Sequence, residues 1–189
     1  MPRPLDESIG PRLLEAARAV ASERSYALEM TEVARRADVS IGSLYRRFED
    51  RNDLIAELGD EMMSWLEFRL MRAQQQYSNN AVDWLREANR LGFENLENFG
   101  QFAIDTFCRR IPEPFQREFG QRDQISAYLG HLIKAGIDQG HFRADLNVRH
   151  AVVIWRGMVT PDLNALANEI SLKDLCEMTS NVLLRGFRA

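Results

Sequence analysis

Between Val33 and Arg51 the chain reads VARRADVSIGSLYRRFEDR, and the side chains there point to one kind of chemistry. Arg35, Arg36, Arg46, Arg47 and Arg51 form a local positive edge, diluted by Asp38, Glu49 and Asp50. A guanidinium such as that of Arg46 presents a planar fork to a guanine edge or a phosphate. Ser43 adds a hydroxyl that bonds to either. Ile41, Leu44 and Phe48 recur at helical spacing and read as the buried face of a short helix. With Leu44 and Phe48 taking the core, Ser40, Ile41, Ser43, Tyr45 and Arg46 cannot all point inward.

The elements that must hold these groups follow from the same stretch. Val33, Ala34 and Ala37 share one face of a preceding helix, Asp38-Val39-Ser40 makes a turn, and Ser40 is a good N-cap for the second helix. Small residues at Ala34, Ala37 and Gly42 allow a close crossing. This is the plan of a helix-turn-helix, whose second helix enters the major groove of double-stranded DNA. A helix of about two turns is not stable alone. Asp6 to Arg24 supplies the support, with Ile9, Leu13, Ala16, Ala17, Val20 and Ala21 as its apolar stripe and Gly10-Pro11 in its first turn.

Composition sets the outer bounds. The chain has 189 residues, is 45% hydrophobic and carries a net charge of −4. That length buries a substantial core, and that charge argues against a protein that coats nucleic acid, while site-specific binding needs only a local positive edge. PRPLDESIG after Met1 has no apolar signal core, and the longest apolar cluster, Ala151 to Trp155, is far too short to span a membrane. Cys108 and Cys176 lie far apart without CxxC or Cys/His pairing, as expected of buried thiols in a reducing cytoplasm.

The run Leu13-Leu14-Glu15-Ala16-Ala17, then Val33-Ala34, then Val39-Ser40-x-Gly42-Ser43-Leu44-Tyr45-x-x-Phe48, then Arg51-x-x-Leu54, resembles the TetR family of bacterial transcription regulators. The resemblance implies that Tyr45 clasps a phosphate, that Arg51 stands where a lysine is usual, and that Thr31 reaches a base edge. With Ser40, Ile41, Ser43 and Arg46, these are the expected DNA-binding residues. Three positions depart from the pattern. Glu29 replaces a helix-capping, phosphate-binding Thr, Ser25 stands where the first helix usually ends on Gly, and Asp38 where the turn usually has Gly. Asp38 is expected in a left-handed conformation, which Asp tolerates better than most residues.

The rest of the chain carries no strand signal, so the whole reads as all-α: a three-helix N-terminal head at residues 1–50 and a larger helical ligand-binding and dimerisation domain at 51–189. Arg51 to Tyr77 is one long helix, Asn80 caps the next, Gly100 allows a bend in it, and Pro112 and Pro114 enforce a break. Gln121 to Gln139 is a further helix, and the last two start near Asn147 and at Ser171. Thr160-Pro161-Asp162 is expected to break or kink the penultimate one. Leu172, Leu175, Val182, Leu183 and Phe187 mark one face of the final helix and are expected to form a homodimer interface.

Catalytic and metal chemistry find no foothold. His131, His141 and His150 fall at no ligand spacing, and no phosphate loop or GxSxG elbow is legible, so neither enzyme activity, metal nor cofactor is expected. Glu94 and Glu97 sit one turn apart, as a solvated face or as a flank for a cationic ligand. Helix-bundle cores account for dense aromatics such as Phe99 and Phe107. The resemblance adds that some line an apolar cavity, with Trp65, Phe68, Phe93, Glu97, Phe102, Tyr128 and Trp155 as candidate residues for a small apolar or amphipathic effector. The function so implied is a ligand-released repressor that binds a palindromic operator as a dimer. The alternative is a helical small-molecule-binding protein whose DNA-binding head is degenerate.

Overall fold

Four short polar side chains set where helices begin. Ser40 Oγ accepts the Ser43 amide at 3.1 Å, and Asp50 Oδ1 accepts those of Asn52 and Asp53 at 2.7 and 2.9 Å. Asn80 Oδ1 accepts the Val82 and Asp83 amides at 3.2 Å, and Ser171 Oγ accepts that of Asp174 at 3.1 Å. Each bond satisfies an N–H that the first helical turn leaves without a partner. The computed structural model describes residues 9–107, 110–113, 115, 124–159 and 170–189. Its helices are α1 (Ile9–Arg24), α2 (Met30–Arg36), α3 (Ile41–Arg47), α4 (Arg51–Gln76), α5 (Ala81–Phe107), α6 (Gln124–Asp138), α7 (Val148–Val159) and α8 (Leu172–Phe187). The fold is all-α: among the described residues the only β pairing is the isolated bridge between Phe142 and Arg188. Cys108, Pro114 and the expected break at Thr160-Pro161-Asp162 lie outside the described residues.

Two compact units are present, Met1–Met62 with Asn98–Gly120, and Met63–Glu97 with Gln121–Ala189. In the first, α1 buries Leu13, Ala17 and Val20, α2 buries Val33 and Ala34, and Leu44, Phe48, Leu54, Ile55 and Leu58 have no exposed surface. Burial of this kind stabilises by roughly 1.5–3 kcal/mol per large side chain, which offsets the weak intrinsic stability of seven-residue α2 and α3. The turn between them is held from outside. Arg12 Nη2 donates to the carbonyls of Ala37 and Asp38 at 2.6 and 3.1 Å, and Asp38 is left-handed at φ 53°. Ser25, at φ 52°, is left-handed as well.

This unit also draws on residues far beyond the head. Gly100 (φ 49°, ψ −128°) kinks α5, and the turns beyond it fold onto Tyr26. The Tyr26 ring lies 4.9 Å from that of Phe102 and 5.6 Å from that of Phe115. Thr106 Oγ1 donates to the Phe102 carbonyl at 2.7 Å, so the Tyr26 hydroxyl, 2.8 Å away, is the donor to Thr106. Burial pushes the Tyr26 phenol up to about 12.

The second unit is organised around Asn89, which has no exposed surface. Its Oδ1 accepts Trp155 Nε1–H at 3.0 Å, and its Nδ2 donates to the Cys176 carbonyl at 3.0 Å and to Ser180 Oγ at 2.9 Å. One amide thereby ties α5 to α7 and α8. At the other end, Gly136 lets the Phe142 ring approach so closely that a Cβ there would sit 2.1 Å from it. Phe142 in turn meets Phe187 edge-on at 5.8 Å.

Candidate nucleic-acid interface and ligand grooves

The local geometry of α3 sorts its residues cleanly. Leu44 and Phe48 point into the core, whereas Ile41 is 40% and Tyr45 52% exposed. Ile41 therefore does not belong to the buried face that its spacing implied: a seven-residue helix has one inward row, and Leu44 with Phe48 fills it. Ser40, Arg46 and Arg51 are exposed, Thr31 is exposed in the first turn of α2, and Ser43 is half-buried. Ser43 is the hinge of a small polar chain, 2.9 Å from Ser40 Oγ and accepting from Arg46 Nη2 at 2.8 Å. Gly42 is exposed, and a Cβ there would meet nothing nearer than Ser40 Oγ at 3.9 Å, so helix crossing does not need its small size.

The arginine edge is less positive than the sequence implied. Arg35 forks onto Glu32 at 2.8 and 2.7 Å, Arg36 onto Glu23 at 2.9 and 3.0 Å, and Arg47 reaches both Glu57 oxygens at 2.6 and 2.8 Å. Hydrogen bonds from Arg35 and then Arg36 hold the Glu32 carboxyl down at about 2. Arg46 and Arg51 form no ion pair among the described residues. Glu29 starts α2 without a side-chain cap bond, and its carboxylate lies 3.4 Å from Arg24.

The expected ligand residues do not converge on one cavity. Phe102 lies beyond the kink at Gly100 and packs on Tyr26 in the first unit. Trp155 is fully buried and bonded to Asn89. Trp65 is half-buried, with the Arg69 guanidinium 4.9 Å above its ring. The other four divide between two grooves. Phe93 and Glu97 line one of about 670 Å³ between α5 and α8, with Arg90, Lys173, Cys176 and Glu177. Phe68 and Tyr128 line one of about 270 Å³ between α4 and α6, with Ser64, Glu67, Met71 and Ile125. Tyr128 Oη donates to the Leu70 carbonyl at 2.7 Å and accepts from Trp84 Nε1, and burial pushes its phenol up to about 12.

The final helix divides its stripe between two environments. Leu183 and Phe187 are buried, Phe187 against Phe142, and Leu172 and Leu175 are half-buried. Val182 is 51% exposed, as are Met178 (47%) on the same helix and Val153 (65%) and Ile154 (56%) on α7. Val153, Ile154 and Met178 were not legible as a surface, because exposure depends on which face α6 and α5 cover.

A tight helix-turn-helix whose second helix presents Tyr45 and Arg46 outward is the arrangement of a DNA-reading element. Residues 13–58 match the family model described as bacterial regulatory proteins, tetR family. Over 141 residues, 72% of this chain and 70% of the relative, the sequence is 29% identical to the HTH-type transcriptional repressor KstR2 of Mycobacterium tuberculosis. The solved structure of the ketosteroid transcriptional regulator KstR2 of that organism superimposes with a TM-score of 0.73 at 21% identity, covering 97% of this chain and 96% of that one. The regulator FadR of Bacillus subtilis, in complex with stearoyl-CoA, gives 0.70 at 20% identity over 95% and 100%. These likenesses show a shared fold. Residues 13–58 thus resemble the DNA-binding segment of the TetR family, and the chain is similar to its transcription regulators. No helix among the described residues is long and apolar enough to cross a membrane, and no cluster there could hold a metal ion.

Proposed function

We propose that the protein is a repressor that binds a palindromic operator as a homodimer and is released by a small apolar or amphipathic effector. The observation that carries this reading is the outward row of α3, where Ile41, Tyr45 and Arg46 are presented by a helix whose inner row is fully buried. Residues 1–50 are then the DNA-binding domain and 51–189 the ligand-binding and dimerisation domain. Arg46, swinging from Ser43, forks a base or a phosphate, Tyr45 and Arg51 hold phosphates, and Thr31, Ser40, Ile41 and Ser43 flank them. The open space around Gly42 fits close approach of a DNA backbone. The repressor KstR2 and the stearoyl-CoA-bound FadR support repression and an effector with a long apolar part.

Two heads must meet successive major grooves about 34–36 Å apart, or a multiple of that, so dimer geometry sets affinity. The effector acts only through its differential affinity for matched and mismatched states. Val153, Ile154, Met178 and Val182 supply the dimer face, with α7 and α8 of each copy forming a four-helix interface. Leu183 and Phe187 stay in the core of their own chain. Ile154→Glu with Val182→Glu is therefore expected to give a folded monomer in sedimentation, with operator affinity reduced at least tenfold. An intact dimer would move the interface elsewhere.

A further inference from the structure

The first turn of α3 presents one apolar group. Ile41 opens the helix and is 40% exposed, while Leu44, one turn on, has no exposed surface. Its neighbours are small: Ser40 before it, Gly42 and Ser43 after it, and a Cβ on Gly42 would meet nothing nearer than Ser40 Oγ at 3.9 Å. Ile41 is therefore the bulkiest side chain between residues 40 and 43. The hydroxyls around it are tied to each other. Ser40 Oγ accepts the Ser43 amide at 3.1 Å and lies 2.9 Å from Ser43 Oγ, which accepts from Arg46 Nη2 at 2.8 Å. A single exposed isoleucine is ordinary on any surface and by itself points nowhere. What distinguishes this one is its place: it shares an outward row with Tyr45, one turn further along and 52% exposed.

On the reading that α3 lies in the major groove, we infer that Ile41 is a specificity-determining residue, resting on the 5-methyl group of a thymine in each half-site. The N-terminal turn of a reading helix meets base edges. In the major groove guanine shows acceptors, cytosine an amino donor and adenine one of each; thymine alone adds a methyl group to its acceptor. The isoleucine side chain neither donates nor accepts. Set over cytosine, it would cover the amino group and leave that donor without water or partner. Set over thymine, it removes two apolar surfaces from water. The three outward side chains of α3 then ask for different partners, Arg46 for guanine or phosphate, Tyr45 for phosphate and Ile41 for a methyl group. Thr31, exposed in the first turn of α2, also carries a methyl group, so the test must say which residue owns the contact.

Deoxyuridine in place of thymidine deletes the methyl group and keeps the base pair. A duplex selected by the full chain can therefore be scanned one symmetric pair of thymines at a time. Burying one methyl group is worth about 0.8 kcal/mol, so at one position the wild type is expected to lose about fourfold in affinity per half-site, and about fifteenfold with uracil in both. Ile41→Ala is expected to bind the thymine and uracil duplexes alike at that position, Ile41→Val to keep most of the difference, and Thr31→Ala to leave it intact. Ile41→Ala should also melt with the wild type, because the side chain it shortens is outside the core. The inference is overturned if no thymine shows a uracil penalty, if the penalty persists in Ile41→Ala, or if Thr31→Ala abolishes it instead. An Ile41→Ala protein that melts well below the wild type would overturn it too, since Ile41 would then belong to the core. The two readings fail differently. A selected duplex that Arg46→Ala binds poorly, with no uracil penalty anywhere, defeats the thymine contact alone; a wild type that selects no duplex defeats the reading of α3 and the contact with it.

Discussion

Gly100→Ala is expected to lower stability by about 3–5 kcal/mol, the largest loss from any single methyl in the first unit. The backbone there, at φ 49° and ψ −128°, lies where L side chains are strained by about 1–3 kcal/mol. A Cβ would also stand 2.5 Å from the Ser22 carbonyl oxygen and 2.9 Å from Ser22 Cβ. These are backbone and near-backbone atoms of α1, which cannot rotate away, so overpacking adds about 1–3 kcal/mol. The alternative for the chain is to straighten at residue 100, which would draw Phe102 and Thr106 off Tyr26. Urea melts followed by circular dichroism measure the loss. A midpoint within error of wild type would mean that the kink is not a fixed part of the fold.

Asn89→Leu is expected to cost about 2–5 kcal/mol, although it adds apolar volume to an apolar region. The amide answers Trp155 Nε1 and Ser180 Oγ at the junction of α5, α7 and α8, and leucine strands both groups at about 1–3 kcal/mol each. Asn95→Leu, the same substitution six residues later, is expected to stabilise, because that amide answers nothing. The opposite signs are measurable in one set of melts. If both variants lose stability alike, Asn95 has a partner and the two amides are equivalent.

What the sequence made legible was local. Ser40, Asn80 and Ser171 start helices because a short oxygen caps the next turn, and that depends on spacing alone. The bend at Gly100 and the left-handed Asp38 are local too. The pairing within the arginine edge was not legible, for a different reason. Arg36 meets Glu23 and Arg47 meets Glu57 only once α1, α2, α3 and α4 have packed, so their charges could not be cancelled on paper. The two environments of the final helix were not legible because Val182 and Leu183, adjacent in sequence, point about 100° apart. One faces solvent and the other the core, and only the packing of Phe142 on Phe187 says which. Tyr26, Asn89 and Asn95 carried no signal at all, since a single buried polar residue in an apolar run reads like any other break in the stripe.

The central claim is that α3 reads DNA through Arg46 with Arg51 and Tyr45 on phosphates, and operator titration at several salt concentrations tests it most directly. A duplex selected by the wild-type protein should be palindromic. Arg46→Ala should cost about 1–3 kcal/mol and relax the preference at one position in each half-site if the guanidinium forks a base, or weaken all sites alike if it holds a phosphate. Arg51→Ala should weaken every sequence alike and flatten the dependence of log affinity on log salt by about one unit. Tyr45→Phe should weaken all sequences with little change in slope, since it removes a neutral donor. If Arg46→Ala, Arg51→Ala and Tyr45→Phe all bind the selected duplex as the wild type does, with the same salt slope, α3 is not the reading helix and the account fails.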